Sequence, residues 1–218
     1  MADPISRQGQ SYAKPEVLDF LADFYAPSDQ ALRRAERAPE THGLPPIHIG
    51  CHEGAFIAWL IRMHKVQQAV EIGTLAGYSA IWIARAMISP GKLYTLEINP
   101  KHAEVARHNL KDAGLEERVE VVVGDALESL KMLETSAPFD CVFIDADKIR
   151  YDRYAEWAVS HLRPGGLLIA DNAFYFGRLL EESEEAKAMR RFHEIASRFF
   201  DAVLVPTPDG LVIGSKRA

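Results

Sequence analysis

Oxygen-bearing side chains follow two apolar runs in the second half of the chain. Asp145 ends the run at residues 141–145, and Asp171 and Asn172 directly follow the run at 167–170. If both runs are strands of a parallel sheet, their carboxyl ends meet at the edge where open α/β folds bind ligands. Carboxylate and amide oxygens are the donors that Mg²⁺, Mn²⁺ or Ca²⁺ prefer. The pattern predicts a divalent-cation site, although on spacing alone a helix cap at Asp145 and a turn at 171–172 explain it equally well.

A glycine-containing bend precedes these runs. Residues 71–79 read E-I-G-T-L-A-G-Y-S, which is typical of a strand, a glycine turn and the start of a helix. The spacing G-x-x-x-G departs from the dinucleotide pattern G-x-G-x-x-G and counts against NAD, the cofactor of the oxidoreductase alternative. S-adenosylmethionine has no pyrophosphate, so its amino-acid end needs only such a bend and a few polar groups.

Acidic residues end the next two predicted strands. Glu97 ends the second strand, where a carboxylate can accept hydrogen bonds from both hydroxyls of a ribose. The third strand ends in Gly124-Asp125-Ala126, which suits an adenine edge through the Asp125 carboxylate or the Ala126 amide. Each motif alone is weak evidence for a ligand site, but polar residues at the ends of successive strands together favour a nucleoside-type ligand.

The elements that would position these residues alternate in type along the chain. Short β-branched runs alternate with amphipathic stretches, which predicts a mostly parallel α/β sheet. We predict strands at residues 69–73, 93–98, 119–124, 141–145, 167–170, 202–206 and 211–215, the last two joined as an antiparallel hairpin by the turn at 207–210. Helices are predicted at 15–25, 29–38, 53–64, 78–87, 101–113, 149–160 and 181–199. We expect one domain, residues 1–218, with a helical cover at 1–68 and the core at 69–218.

Composition excludes several classes of protein. A hydrophobic fraction of 48% and a charged fraction of 26% are those of an ordinary globular chain rather than a disordered one. The net charge of −6 disfavours non-specific binding to nucleic acid. Cys51 and Cys141 show no paired spacing, the first ten residues contain no apolar targeting segment, and no apolar run is long enough for a membrane span. We therefore expect a reduced, cytoplasmic compartment and no membrane partner.

Several motifs together resemble one family. Residues 71–79, the strand-end acid Glu97, F-I-D-A-D-K-I-R-Y at 143–151 and P-G-G-L-L-I-A-D-N at 164–172 are similar to the cation-dependent O-methyltransferases of the catechol and caffeoyl-coenzyme A type. The resemblance runs from about Ile47 to Arg217. It implies a Rossmann-like class I methyltransferase fold with a seven-stranded sheet, usually as a homodimer. It also implies that S-adenosylmethionine methylates a hydroxyl of a catechol-like or hydroxycinnamoyl small molecule.

The resemblance also implies residue roles. Metal ligation falls to Asp145, Asp171 and Asn172, and catalysis to Lys148 together with Asp145. A nearby amine can take the proton of a hydroxyl whose pKa a cation has lowered. Together with the glycine and strand-end residues above, the predicted cofactor contacts are Ile49, Glu71, Gly73, Thr74, Gly77, Ser79, Glu97, Asp125, Ala126, Asp145 and Asp147. The segment after the metal residues supplies candidates for the acceptor pocket, namely Phe174, Tyr175, Phe176 and Arg178.

Other interpretations stay open at this point. The acceptor can instead be a hydroxyuridine of transfer RNA, for which Arg33, Arg34 and Arg37 form a possible basic patch on an otherwise acidic chain. A catalytically inactive module that binds S-adenosylmethionine is a second alternative. Zinc binding by His48 and His52 is disfavoured because Gly50 lies between them and no further ligand set accompanies them.

Overall fold

Seven strands form one sheet in the computed structural model, which describes residues 11–218. The strands are β1 (Gln68–Ile72), β2 (Lys92–Glu97), β3 (Val119–Val123), β4 (Phe139–Ile144), β5 (Leu162–Ala170), β6 (Phe200–Val205) and β7 (Leu211–Lys216). Their order is β3-β2-β1-β4-β5-β7-β6, and the first five are parallel. β7 pairs antiparallel with both β5 and β6, so the predicted fold class with its C-terminal hairpin is confirmed.

Helices cover both faces of this sheet. They are α1 (Pro15–Tyr25), α2 (Gln30–His42), α3 (Cys51–Met63), α4 (Tyr78–Ala86), α5 (Pro100–Asp112), α6 (Ala126–Leu133), α7 (Tyr151–His161) and α8 (Glu184–Phe199). One core cluster joins α3, α4 and α5 to the sheet, and a second joins α7 and α8 to its other face. The buried side chains are mainly Ile, Val, Leu and Ala, whose removal from water drives this layering.

The two largest boundary differences from the sequence prediction are at β5 and α2, and one helix was not predicted. β5 begins at Leu162 rather than at 167, because Leu162 already pairs with Phe139; the register shifts before the next pair, Cys141 with Leu167, where Gly165 has a left-handed φ of +72°. α2 continues through Pro39 to His42 instead of ending near 38. Its end is set by Gly43, whose left-handed φ of +61° places its amide against the Pro39 carbonyl. The short helix α6 was not predicted separately.

The N-terminal helices were expected to cover the sheet. In the structure α2 packs against α4 and α5, and α3 packs against α4, each with buried residues along one face. α1 has none, and Phe20, Phe24 and Tyr25 leave 67%, 65% and 72% of their surface exposed. The predicted absence of a targeting segment in residues 1–10 lies outside the described residues. No helix within 11–218 has the length and apolar character needed to cross a membrane.

Candidate active site

A cavity of about 750 Å³ opens at the carboxyl ends of β1, β2 and β4. This is the edge at which parallel α/β sheets bind ligands. Residues from all three strand ends, the segment before α3 and the loop after β5 line it. Its polar and ionisable lining residues are His48, Thr74, Ser79, Glu97, His102, Asp145, Asp147, Lys148, Arg150 and Asn172, and its apolar lining includes Ile47, Ile49, Ile72, Ile98, Ala126 and Phe176.

The bend after β1 forms one wall. Gly73 has a φ of +101°, and a Cβ placed on it would lie 2.0 Å from the Asp145 carbonyl oxygen. Any side chain is therefore excluded where β1 and β4 meet. Gly77, with a φ of +80°, is the N-cap residue directly before α4. It contributes backbone geometry rather than a wall of the cavity.

Glu97 links the segments that follow β1 and β2 through hydrogen bonds. Its Oε2 accepts a hydrogen bond from the Leu75 amide at 2.8 Å, and its Oε1 accepts one from the Asn99 amide at 2.9 Å. His102 Nδ1 lies 3.5 Å from the same Oε1. The carboxylate borders the cavity, so it can accept a further hydrogen bond from a ligand hydroxyl.

Glu71 lies behind this wall. It is fully buried, and its Oε2 accepts a 2.5 Å hydrogen bond from Thr95 Oγ1. Burial raises the pKa of Glu71 to about 7, partly offset by hydrogen bonds from Ser79 and Thr95. Thr95 in turn lies 2.5 Å from Thr74 Oγ1, and Thr74 does line the cavity.

Arg150 connects the tips of β3 and β4. Its Nη1 donates to Asp125, and its Nε donates to Asp147 Oδ2 at 2.8 Å. Asp125 also caps α6 by accepting from the Leu127 amide, and the hydrogen bond from Arg150 lowers the pKa of its carboxyl group. Tyr154 donates to Asp147 Oδ1 at 2.7 Å. The Asp125 carboxylate is thus engaged by the protein itself, which leaves Ala126 at the cavity wall for the predicted adenine contact.

Two carboxyl groups and an amide meet at the ends of β4 and β5. Asp145 and Asn172 line the cavity, and Asp171 lies just behind it, 6% exposed. Burial raises the pKa of Asp171 to about 7, and the neighbouring Asp145 and Glu53 add to the rise. Burial likewise raises the pKa of Asp145, against the effect of Lys148. These carboxylates repel one another in a poorly hydrated place, an arrangement that a cation stabilises.

The donor types at this place fit a hard cation. Within residues 11–218, no group of three or more His, Cys, Asp and Glu side chains is arranged to hold a metal ion. The predicted set contains only two carboxylates, and its third member is the amide of Asn172, whose φ of +56° is unusual for a residue other than glycine. Two carboxylates and one amide oxygen suit Mg²⁺, which keeps its remaining positions for water or substrate.

Lys148 lies at the centre of these groups. Its Nζ is 3.6 Å from Asp145 Oδ1 and donates to the Ala146 carbonyl at 2.9 Å. A second contact of 2.9 Å joins it to the Tyr151 hydroxyl. Burial lowers the pKa of Lys148, while Asp145 and Asp171 act in the opposite direction. A lowered pKa makes an amine easier to deprotonate, so Lys148 is better suited to accept a proton than an exposed lysine is.

Comparison with known proteins identifies the family. Residues 24–216 match the O-methyltransferase family. The chain belongs to this family. The methyltransferase is 43% identical over 175 residues to a catechol O-methyltransferase of Mycobacterium tuberculosis, covering 80% of this chain and 79% of that protein. It is 39% identical over 187 residues to a catechol O-methyltransferase of Niastella koreensis, covering 85% and 82% respectively.

A solved structure shows the same fold. The O-methyltransferase from Bacillus cereus, in complex with SAH, superposes with a TM-score of 0.88 at 34% identity, over 93% of this chain and 97% of that chain. The predicted family and enzyme class, a S-adenosylmethionine-dependent O-methyltransferase, are confirmed.

The methyltransferase brings most of the predicted site residues to one cavity. On its wall lie Ile49, Gly73, Thr74, Ser79, Glu97, Ala126, Asp145, Asp147, Lys148 and Asn172. Away from the wall lie Glu71, Gly77, Asp125 and Asp171, which support it from behind. Sequence reasoning missed Arg150, His102 and Tyr151. The motif D-K-I-R-Y at 147–151 contains two of them, but nothing in it shows where a long arginine side chain ends.

The expected acceptor segment is only partly at the cavity. Phe176 lines it and is 63% exposed, whereas Tyr175 is buried and Arg178 pairs with Glu181. The turn before β7 holds this segment: the Phe174 amide donates to the Asp209 carbonyl at 2.8 Å, and the Phe176 amide donates to Asp209 Oδ1 at 2.8 Å. The shape of the cavity wall at Phe176 is therefore set partly by the C-terminal hairpin.

Proposed function

We propose that the methyltransferase moves the methyl group of S-adenosylmethionine to a hydroxyl of a catechol-like or hydroxycinnamoyl acceptor, with a divalent cation held by Asp145, Asp171 and Asn172. One observation carries this proposal. The buried carboxyl group of Asp171, the partly exposed one of Asp145 and the amide of Asn172 lie at adjacent strand ends, next to the largely buried amine of Lys148 and one large cavity. The two similar catechol O-methyltransferases support the choice of acceptor.

The cofactor would lie along β1 and β2. Its methionine end would lie against the bend at Gly73 and against Ile49, because no side chain fills that space. Glu97 would accept hydrogen bonds from the ribose hydroxyls, and the Ala126 amide would meet the adenine edge. In this arrangement Arg150 would hold Asp147 and Asp125 in place at the far end of the cavity.

Lys148 would act as the general base. When bound, Mg²⁺ supplies positive charge that lowers the pKa of an acceptor hydroxyl. The neutral amine of Lys148 has two N–H groups, which can donate to Ala146 O and to the Tyr151 oxygen. Its lone pair then stays available for the proton that the acceptor hydroxyl loses. The cavity walls would hold the acceptor oxygen in line with the methyl group, which accounts for much of the acceleration in such displacements.

A screen for methyl transfer tests this function. The protein is incubated with S-adenosylmethionine and catechols, hydroxycinnamates, their coenzyme A esters or flavonoids, with Mg²⁺ or with EDTA, and products are measured by mass spectrometry. We expect a mass gain of one methyl group on vicinal diols with Mg²⁺ alone. Retained cofactor binding without turnover on any acceptor would instead favour an inactive binding module.

Transfer RNA is a second candidate acceptor, and one observation favours it. A groove of about 390 Å³ between α2 and α5 is lined by Arg33, Arg34, Arg37, His42 and His108. Arg34 pairs with Asp112 at 2.5 Å, whereas the side chain of Arg37 makes no ion pair or hydrogen bond within residues 11–218. Binding of transfer RNA that weakens steeply with salt, together with methylation of a hydroxyuridine, would support this alternative over the small-molecule one.

A cytoplasmic location also stays a proposal, which cell fractionation can test.

A further inference from the structure

Three buried side chains form a hydrogen-bonded chain from the sheet interior to the cavity wall. Thr95 Oγ1 lies 2.5 Å from Glu71 Oε2 and 2.5 Å from Thr74 Oγ1. Glu71 and Thr95 are register partners on β1 and β2, and both are 0% exposed. Thr74 is 2% exposed and lines the cavity next to Gly73.

The direction of these hydrogen bonds follows from counting protons. Above the pKa of about 7 to which burial raises Glu71, its carboxylate is ionised and can only accept, so Thr95 donates its single hydroxyl proton to Glu71. Thr95 then has no proton for Thr74 and must accept from it. The hydroxyl proton of Thr74 is directed into the sheet, so only a lone pair of Thr74 Oγ1 remains for a partner in the cavity.

We infer that Glu71 and Thr95 are positioning residues that fix the Thr74 hydroxyl as an acceptor for the ammonium group of the methyl donor. This inference rests on the proposed function, which places the methionine end of S-adenosylmethionine at the bend. A ligand atom at Thr74 must then be a hydrogen-bond donor. The neighbouring carboxyl groups of Glu97 on β2 and Asp145 after β4 favour a positively charged one.

The test compares two ligands that differ at the amino-acid end. S-adenosylhomocysteine carries the ammonium group, whereas 5′-methylthioadenosine lacks the whole amino-acid end. Calorimetry at about pH 8, where Glu71 is ionised, should show that Thr95→Val weakens binding of S-adenosylhomocysteine about 10-fold or more, the scale of one misdirected hydrogen bond to a charged group. Affinity for 5′-methylthioadenosine should stay unchanged. Thr95→Ser keeps the hydroxyl and should restore both affinities, and Thr74→Val should show at least the loss seen in Thr95→Val.

Controls separate positioning from packing. Ser129→Ala removes another buried hydroxyl, on α6 and away from the cavity, and should leave both affinities unchanged. If Thr95→Val does not fold, Thr95→Cys carries the test, because its thiol is a weaker donor and should give a selective loss of the same kind. Equal weakening of both ligands, or no rescue by serine, would overturn the inference. A wild-type protein that binds neither ligand would instead overturn the proposed function.

Discussion

The Nζ of Lys148 lies 2.9 Å from the hydroxyl of Tyr151, one helical turn further along the chain. The same hydroxyl is within hydrogen-bond distance of the carbonyl oxygens of Asp171, at 2.9 Å, and Ile144, at 3.2 Å. Because Tyr151 donates its proton to one of these carbonyls, its oxygen is left to accept from the amine. The position of Lys148 is thus fixed by the backbone at the ends of β4 and β5.

Removing this anchor should slow the chemical step. Tyr151→Phe keeps the buried ring, whose centre lies 4.5 Å from Nζ, but loses the hydroxyl. We expect kcat to fall several-fold while KM for the cofactor stays the same. Lys148→Ala should lower kcat by about 10² or more, the usual scale for losing a positioned general base. Rapid-quench measurement of a single turnover checks both, and a fall in cofactor affinity with unchanged kcat would contradict this role.

Metal removal should abolish turnover without removing the cofactor. Asp171→Ala should abolish turnover yet leave affinity for S-adenosylmethionine nearly unchanged, because Asp171 lies behind the cavity wall. Asp145→Ala should harm both, since its side chain lines the cavity. Catechol should react far better than its singly methylated product, because two adjacent oxygens can complete the cation's shell. Full activity in EDTA, with metal loss verified by elemental analysis, would refute the proposed mechanism.

Glu97 should contribute to cofactor affinity through hydrogen bonds to the ribose. Glu97→Ala should weaken binding of the cofactor by about 1 to 3 kcal/mol. Part of this loss comes from the Leu75 amide, which would lose the carboxylate that accepts its hydrogen bond. Glu120→Ala offers a control on the neighbouring strand, where the carboxylate is exposed and pairs with Lys92. Calorimetry of both variants makes the comparison. Unchanged affinity in Glu97→Ala would remove this residue from the site.

Gly73 should be intolerant of any side chain. Gly73→Ala combines a left-handed φ with a Cβ 2.0 Å from the Asp145 carbonyl, so it should lower the free energy of unfolding by more than about 2 kcal/mol. Gly114→Ala is the matched control, because Gly114 has a φ of +69° and no atom within 4 Å of the added Cβ. Its cost should be near 1 kcal/mol, about that of the backbone conformation alone. Urea unfolding of the two variants separates the cost of the steric contact from the cost of the backbone conformation. Equal losses in the free energy of unfolding would show that the structure around Gly73 relaxes to accommodate the added Cβ.

The exposed aromatic side chains of α1 should lie in a homodimer interface. An 11-residue helix without buried residues is marginal on its own, and Phe20 and Phe24 present an apolar face. Light scattering should give about twice the chain mass of 24.3 kDa, and Phe20→Asp should shift it toward the monomer. Leu180→Asp, at an exposed residue before α8, should leave the mass unchanged. A monomeric wild type at micromolar concentration would contradict this prediction.

Much of this site could be predicted because acids at strand ends follow apolar runs directly in sequence. Glu97, Asp145 and Asn172 reach the cavity for that reason. The hydrogen-bond partner of each of these side chains was harder to predict. The Asp125 carboxylate accepts a hydrogen bond from Arg150, 25 positions later in the sequence. No sequence pattern predicts which partner the end of a long, flexible arginine side chain will reach. The continuation of α2 through Pro39 had a different cause. Burial of Ala38 with Leu44 outweighs the missing proline N–H, and burial depends on contacts between distant residues.

The bonds between the turn at Asp209 and the segment around Phe176 have a consequence for redesign. The two segments hold each other in place, because Asp209 accepts hydrogen bonds from amides of the Phe176 segment at its carbonyl oxygen and at a carboxylate oxygen, and Gly210 leaves room for Phe174. To change the range of acceptors, residues 173–178 and 207–210 should therefore be replaced together by the corresponding segments of one relative. The half of the cavity assigned to the methyl donor lies on other strands, so such a graft would leave it intact.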